Sequence, residues 1–213
     1  MADGEMTDWA DWHEAYRDPD SPLSGRLAVV QRLIAEALDR TSGDVQAISV
    51  CAGAGKDLLG VLAGRDDRAR VHALLVEAEP RLVERAETAA RAAGATHVTA
   101  VVGDAALTDA YAGVAPADLV LVCGVFGNIA DEDVERTIGA LPQLCREGGT
   151  VIWTRHRGHP DLTPAVRRWF ADAGFDELAF ESAGPGAFAV GMHRSTRPPE
   201  PLQPGVRLFT FLR

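Results

Sequence analysis

Gly53 and Gly55 punctuate the stretch ISVCAGAGKDLLG, Ile48 to Gly60: an apolar run, a G-x-G turn and the start of a helix. Glycines so spaced let the backbone turn tightly and approach a ligand that side chains would hold off. The ATP phosphate loop is excluded, because Val50 stands where its first glycine belongs and Asp57 where a Ser or Thr would hold magnesium. The dinucleotide pattern G-x-G-x-x-G fails at its third glycine, which is Leu58 here. That glycine brings helix, strand and pyrophosphate together, so its loss argues against a pyrophosphate. Two acids complete the set. Glu77 ends an apolar run about 20 residues after the glycines, where a carboxylate accepts from both ribose hydroxyls. Asp104 ends the next run, placed to accept from an adenine amino group while the backbone at Ala105 faces the ring. A ribose-bearing cofactor without phosphate meets these conditions, and S-adenosylmethionine is one.

Such residues need strands that end together. Strand-like runs occur at VQAISVC (45–51), RVHALLVE (70–77), HVTAVVGD (97–104), ADLVLVCG (117–124) and TVIWTRH (150–156). Helical patterns separate them: KDLLGVLAG; then 78–94, with Pro80 in its first turn and Gly94 at its end; then 131–149, with early acids and glycines as a stop. Near-continuous apolar strands alternating with helices specify a parallel sheet covered on both faces. After a helix at 161–173, FDELAFES (175–182) and FAVGMHR (188–194) are joined only by AGPGA. So short a link cannot make a parallel crossover, and this last pair must be antiparallel.

The expected fold is α/β: a Rossmann-like, doubly wound, mostly parallel seven-stranded sheet with an antiparallel C-terminal hairpin and an N-terminal helical cap. One domain spans 1–213. Residues 1–40 form the cap, with helices at 8–17 and 23–40, the second carrying Leu27, Val30, Ile34 and Leu38 at helical spacing. Residues 41–195 form the core. The stiff linker RPPEPLQPG (197–205) leads to VRLFTFL, which reads as an added edge strand.

The stretches ISVCAGAG, LLVEAEP, VVGDA and LVLVCGVFGNI together resemble the class I S-adenosylmethionine-dependent methyltransferases. The resemblance covers roughly residues 45–194 and includes the antiparallel ending. It implies that Cys51, Ala52, Gly53 and Gly55 form the cofactor loop. Glu77, with Ala78 beside it, would bind ribose. Gly103, Asp104 and Ala105 would read adenine. Cys123 and Gly124 open a segment, to Asn128, that flanks the methionine part and the reacting centre. One departure stands out: the family carries an acid near the end of the first strand and a glycine two residues on, where this chain has Ser49 and Cys51. Asp57 and the N-terminal arm are the candidates to replace the acid.

Methyl transfer from a sulfonium needs an aligned nucleophile, a dry site and, for some acceptors, a base. Trp9, Trp12, His13 and Tyr16 share one helical face. That stripe suits a docking seam, and equally a lid in which Trp9 and Trp12 line the substrate while His13 or Tyr16 reaches the site. His13 is the leading candidate base. Arg155, His156 and His159 fall at the ligand edge of the fifth strand, as base or anion anchor, or as solvated loop residues. Asn128 follows the fourth strand, where it could orient substrate or cap the next helix, although Asp131 is better placed as a cap. His193 ends an antiparallel strand and belongs at the opposite edge. His156 and His159 lack partners at metal-ligand spacing, so no metal is expected.

Composition narrows the partners. A net charge of −10 over 213 residues, with no dense Lys/Arg block, argues against binding a nucleic-acid backbone. Three scattered cysteines make no disulfide framework, and no signal peptide or membrane-length apolar run is evident, so a cytoplasmic protein is expected. The expected substrate is a small molecule with an O, N or C nucleophile, and the expected state is monomer or homodimer. Three other readings stay open: non-methylating sulfonium chemistry such as cyclisation, an NAD-dependent oxidoreductase, and a non-catalytic S-adenosylmethionine-binding protein.

Overall fold

The computed structural model describes residues 21–182 and 187–212. The helix expected at 8–17, with Trp9, Trp12, His13 and Tyr16, lies outside the described residues. Helix α1 (Pro22–Arg40) starts where Ser21 caps it: the hydroxyl accepts from the Ser24 backbone N–H at 3.1 Å, and Pro22 takes the first turn.

The strands that follow are β1 (Val45–Val50), β2 (Val71–Glu77), β3 (Val98–Val102), β4 (Ala117–Val122), β5 (Cys145–His156), β6 (Phe175–Ser182) and β7 (Phe188–Ser195). They form one sheet in the order β3-β2-β1-β4-β5-β7-β6. The first five are parallel, and β7 runs antiparallel to both β5 and β6. Strand order reverses between β1 and β4, so a crevice opens at their carboxyl ends.

Four further helices cover the two faces: α2 (Lys56–Ala63), α3 (Pro80–Ala93), α4 (Asp131–Leu144) and α5 (Thr163–Asp172). Successive side chains of a strand point to opposite faces. Ala47, Leu119, Leu121 and Ile152 therefore meet α1, α2 and α3, while Ile48, Val50, Val120, Val122 and Trp153 meet α4 and α5. This double burial explains the unbroken apolar runs. It also holds α2, whose 8 residues are too few to form a stable isolated helix; fully buried Leu58 and Leu62 contribute roughly 1.5–3 kcal/mol each.

Three local expectations are corrected. Helix α4 stops at Leu144 instead of 149, and β5 begins at once with Cys145 paired to Ala117. The two glycines read as a helix stop lie inside the strand: register shifts between Ala117 and Leu119, and Gly148 takes φ 76, a backbone glycine accepts freely. The cap of α4 is Ala130, without a side-chain bond, while Asp131 pairs with Arg155.

The run VRLFTFL is not an added edge strand. It makes only two isolated antiparallel bridges, Leu107 with Arg207 and Ile129 with Phe211. Leu208 and Phe209 are both buried, which breaks the alternation a half-covered edge strand needs. Backbone groups of the loops after β3 and β4 take its hydrogen bonds, through Thr108 N to Val206 O at 3.0 Å, Leu208 N to Ala106 O at 2.8 Å and Leu212 N to Asn128 O at 3.0 Å.

Candidate cofactor and acceptor site

A cavity of about 360 Å³ opens at the carboxyl ends of β1, β2, β3 and β4. Its floor is the turn from β1 to α2. Gly53 has φ 56 and lines the cavity; Gly55 has φ 67 and caps α2. A Cβ on Gly55 would come within 2.8 Å of both Leu59 Cδ1 and Leu75 Cδ2, so its absence lets helix and strand close up behind the turn. Cys51, where the resembling family carries glycine, keeps that glycine-like backbone at φ 53.

Glu77 ties the turn to the end of β2. Its carboxylate accepts from Gly53 N at 2.8 Å, Ala78 N at 2.8 Å and Glu79 N at 3.0 Å. Asp104 accepts from Ala106 N at 2.9 Å and from the Arg207 guanidinium at 2.8 Å. Both acids line the cavity with Cys51, Ala52, Ala78, Ala105, Cys123 and Gly124. Gly103 does not: its N–H donates to Glu77 O at 2.9 Å, and a Cβ there would press on Val76 at 3.3 Å. Of the expected cofactor residues, all but Gly55 and Gly103 line the cavity, and these two shape the turns behind it.

Four carboxylates line this space: Asp57, Glu77, Glu79 and Asp104, against the cations Arg26 and Lys56. Burial pushes the Asp57 carboxyl above its usual range, while its backbone hydrogen bonds and the charge of Arg26 pull it back. Burial also pushes the Cys51 and Cys123 thiols well up, reinforced by nearby acids, so both are neutral lining and not nucleophiles. Ser49 is buried in the sheet and absent from the lining, whereas Asp57 is present.

A second cavity, about 540 Å³, adjoins the first and shares Arg26 and Gly124 with it. Asn128, Arg155 and His156 line it; His159 lines neither cavity and is exposed. Asn128 Nδ2 donates to Gly124 O at 2.7 Å, and Gly124 N donates to Thr154 Oγ1 at 2.8 Å, which fixes the wall between the two spaces. Arg155 donates to Phe126 O and pairs with Asp131 at 3.1 Å. Among the described lining residues there is no acid. His193, as expected, is far from both: it pairs with Val151 near the opposite end of β5 and is buried against Phe170. No cluster of three or more potential metal ligands occurs among the described residues.

Residues 23–174 match the family model described as "Putative methyltransferase". The chain belongs to this methyltransferase family. Its fold is likewise that of solved methyltransferases. Magnesium protoporphyrin IX methyltransferase of Synechocystis PCC 6803, solved with bound SAM, superposes at a TM-score of 0.68 and 15% identity, over 89% of this chain and 92% of that one. An O-methyltransferase family protein of Burkholderia thailandensis superposes at 0.64 and 16% identity, over 81% of this chain and 56% of that one. No curated protein sequence matches the chain.

S-adenosylmethionine is the cofactor of the family, and the donor set fits it. Two carboxylates at neighbouring strand ends suit ribose hydroxyls and an adenine amino group. A lining of four acids and two bases suits a sulfonium and disfavours a pyrophosphate. No helix among the described residues is long and apolar enough to cross a membrane.

Several lining residues escaped the sequence reading: Arg26, Lys56, Glu79, Leu82, Phe209 and Phe211. Arg26 sits on a helix whose spacing announced only its apolar stripe. The two phenylalanines belong to the segment taken for an edge strand.

Proposed function

We propose that this methyltransferase transfers the methyl group of S-adenosylmethionine to an O, N or C nucleophile of a small molecule seated in the second cavity. One observation carries the reading: two cavities of opposite charge character meet at Gly124 and Arg26. The bound cofactor supplies a methyl group already activated by a positive sulfur. The chain's own residues bind and align. Glu77 accepts from ribose hydroxyls while it holds the Gly53 turn. Asp104 and the backbone at Ala105 take the adenine edge. Asp57 offers a carboxylate where Ser49 leaves none.

Asn128 presents its amide at the shared wall and orients the acceptor. Arg155, braced by Asp131, and the exposed His156 favour a neutral or anionic acceptor over a cationic one. His156 is the imidazole of the second cavity able to take a proton from the nucleophile. As read from the sequence, His13 is the other candidate base, with Tyr16 beside it as a catalytic candidate, and Trp9, Trp12 and His159 are the further candidates to contact substrate. The protein acts as a monomer or homodimer in the cytoplasm.

Incubation with methyl-labelled S-adenosylmethionine and a panel of small hydroxyl, amine and carbon-acid acceptors tests the assignment. Label on a small acceptor, with stoichiometric S-adenosylhomocysteine, is the expected result. Label on RNA or protein alone would contradict the small-molecule assignment.

A further inference from the structure

We propose that Arg207 is a positioning residue for the cofactor: it holds the Asp104 carboxylate in place for the adenine amino group and so sets the preference for adenine. The inference rests on the reading above, in which Asp104 takes the adenine edge. Arg207 lies outside residues 23–174, the part of the chain matched to the family. It is absent from the cavity lining, whereas Asp104 is part of it.

The backbone of Arg207 is fixed on the Asp104 side of the crevice. Arg207 pairs with Leu107 in an isolated antiparallel bridge. Two backbone bonds flank that bridge, Thr108 N to Val206 O at 3.0 Å and Leu208 N to Ala106 O at 2.8 Å. Val206 N also donates to Thr108 Oγ1 at 3.1 Å, and Gly205 N to Asp109 at 2.6 Å. From this fixed point the Arg207 guanidinium reaches Asp104 Oδ2 at 2.8 Å. Among the described residues this is the one ion pair that Asp104 makes.

The other oxygen of Asp104, Oδ1, accepts from its own loop, Ala106 N at 2.9 Å. One such bond leaves the carboxylate plane free to tilt; the second, from Arg207, fixes it. Each oxygen keeps a lone pair for a further donor, so an amino group can still be accepted. Both side chains are about half exposed, 48% for Arg207 and 46% for Asp104. A base laid against Asp104 takes water from it, and a carboxylate loses less by this when a guanidinium stays bonded to it. The loop is held independently: the buried Tyr111 hydroxyl donates to Ala105 O at 2.6 Å. A change at Arg207 therefore acts on the carboxylate and not on the backbone that faces the ring.

Calorimetric titration of the full chain with two ligands tests this: S-adenosylhomocysteine, and its purine-riboside analogue, which lacks the adenine amino group and is otherwise identical. Wild type should prefer the amino-bearing ligand by about 10-fold or more, as a hydrogen bond to a charged acceptor implies. Arg207→Met keeps the apolar stem and removes the charge and the donors. It should weaken S-adenosylhomocysteine about 5-fold, the upper range for a half-exposed ion pair, and leave the analogue within about 2-fold. Arg207→Lys should restore most of the preference, because a single nitrogen makes the pair. Equal weakening of both ligands by Arg207→Met would mean that Arg207 only braces the chain, and would overturn the proposal. Unchanged binding of S-adenosylhomocysteine would overturn it too, and either result leaves the cofactor reading intact. Binding by wild type with no preference for the amino group would overturn the adenine role of Asp104 and the proposal with it. Failure of wild type to bind either ligand would overturn the cofactor reading itself.

Discussion

The two cavities that meet at Gly124 differ in charge more than in size. One carries Asp57, Glu77, Glu79 and Asp104 against Lys56; the other carries Arg155 and His156 and, among described residues, no acid; Arg26 lines both. In a protein with net charge −10, acids lining a cavity are unremarkable, but a neighbouring cavity free of them is informative. The contrast separates tasks. An acidic chamber favours a cationic cofactor and disfavours a pyrophosphate; the other accepts a neutral or anionic partner without like-charge repulsion. Only small chemistry separates the two: a glycine with positive φ, an amide and a hydroxyl.

Breaking the acidic side should give the largest effect. Glu77→Ala removes the proposed ribose acceptor and frees three backbone N–H groups of the turn. S-adenosylhomocysteine affinity should fall about 100-fold, as losing a hydrogen-bonded charge at about 1.5–3 kcal/mol implies. Asp104→Ala should cost less, because Arg207 loses its partner but the turn stays intact. Calorimetry reads both, and equal affinity in all three proteins would dissolve the acidic-chamber account.

Stability against pH should be set away from both cavities, at His193. Burial lowers its pKa to about 4, only partly offset by Glu177. The unfolded histidine, near 6.5, takes up protons that the folded one refuses. Stability should therefore fall as pH falls, by about 2 kcal/mol from about pH 7 to about pH 5. Thermal melts of His193→Gln should show a flatter profile; an unchanged slope would return the pH dependence to the cavities.

Asn128→Asp sharpens the comparison by placing an acid in the basic chamber. Methyl transfer should drop about 10-fold, one interaction of about 1.4 kcal/mol, with S-adenosylhomocysteine affinity nearly unchanged. An equal loss of cofactor affinity would show that the two chambers are one. The smallest effect belongs to Cys51→Gly. It relieves a left-handed φ at a modest loss of packing, so stability, read from thermal melts, should change by about 1 kcal/mol or less. Cys51→Val, β-branched at that φ, should be the worse variant.

The fold was legible because its signals are local and redundant. Unbroken apolar runs announced strands buried on both faces, Pro80 and Gly94 bounded α3, and the short AGPGA link forced β7 to run antiparallel. Glu77 and Asp104 were legible because strand ends follow from the strands. Three features were not. Gly148 and Gly149 look the same in a helix stop and in a bulge, and only the Cys145–Ala117 pairing distinguishes them. The polar face of α1 gives no hint that Arg26 overlooks the crevice. VRLFTFL has the composition of a strand, yet its partners are backbone groups of loops that no periodicity reveals.

Titration of the wild-type protein with S-adenosylhomocysteine and, separately, with NAD tests the central claim most directly. The account predicts binding of the first and none of the second, since four carboxylates line the space a pyrophosphate would need. Binding of NAD, or of neither ligand, would contradict it.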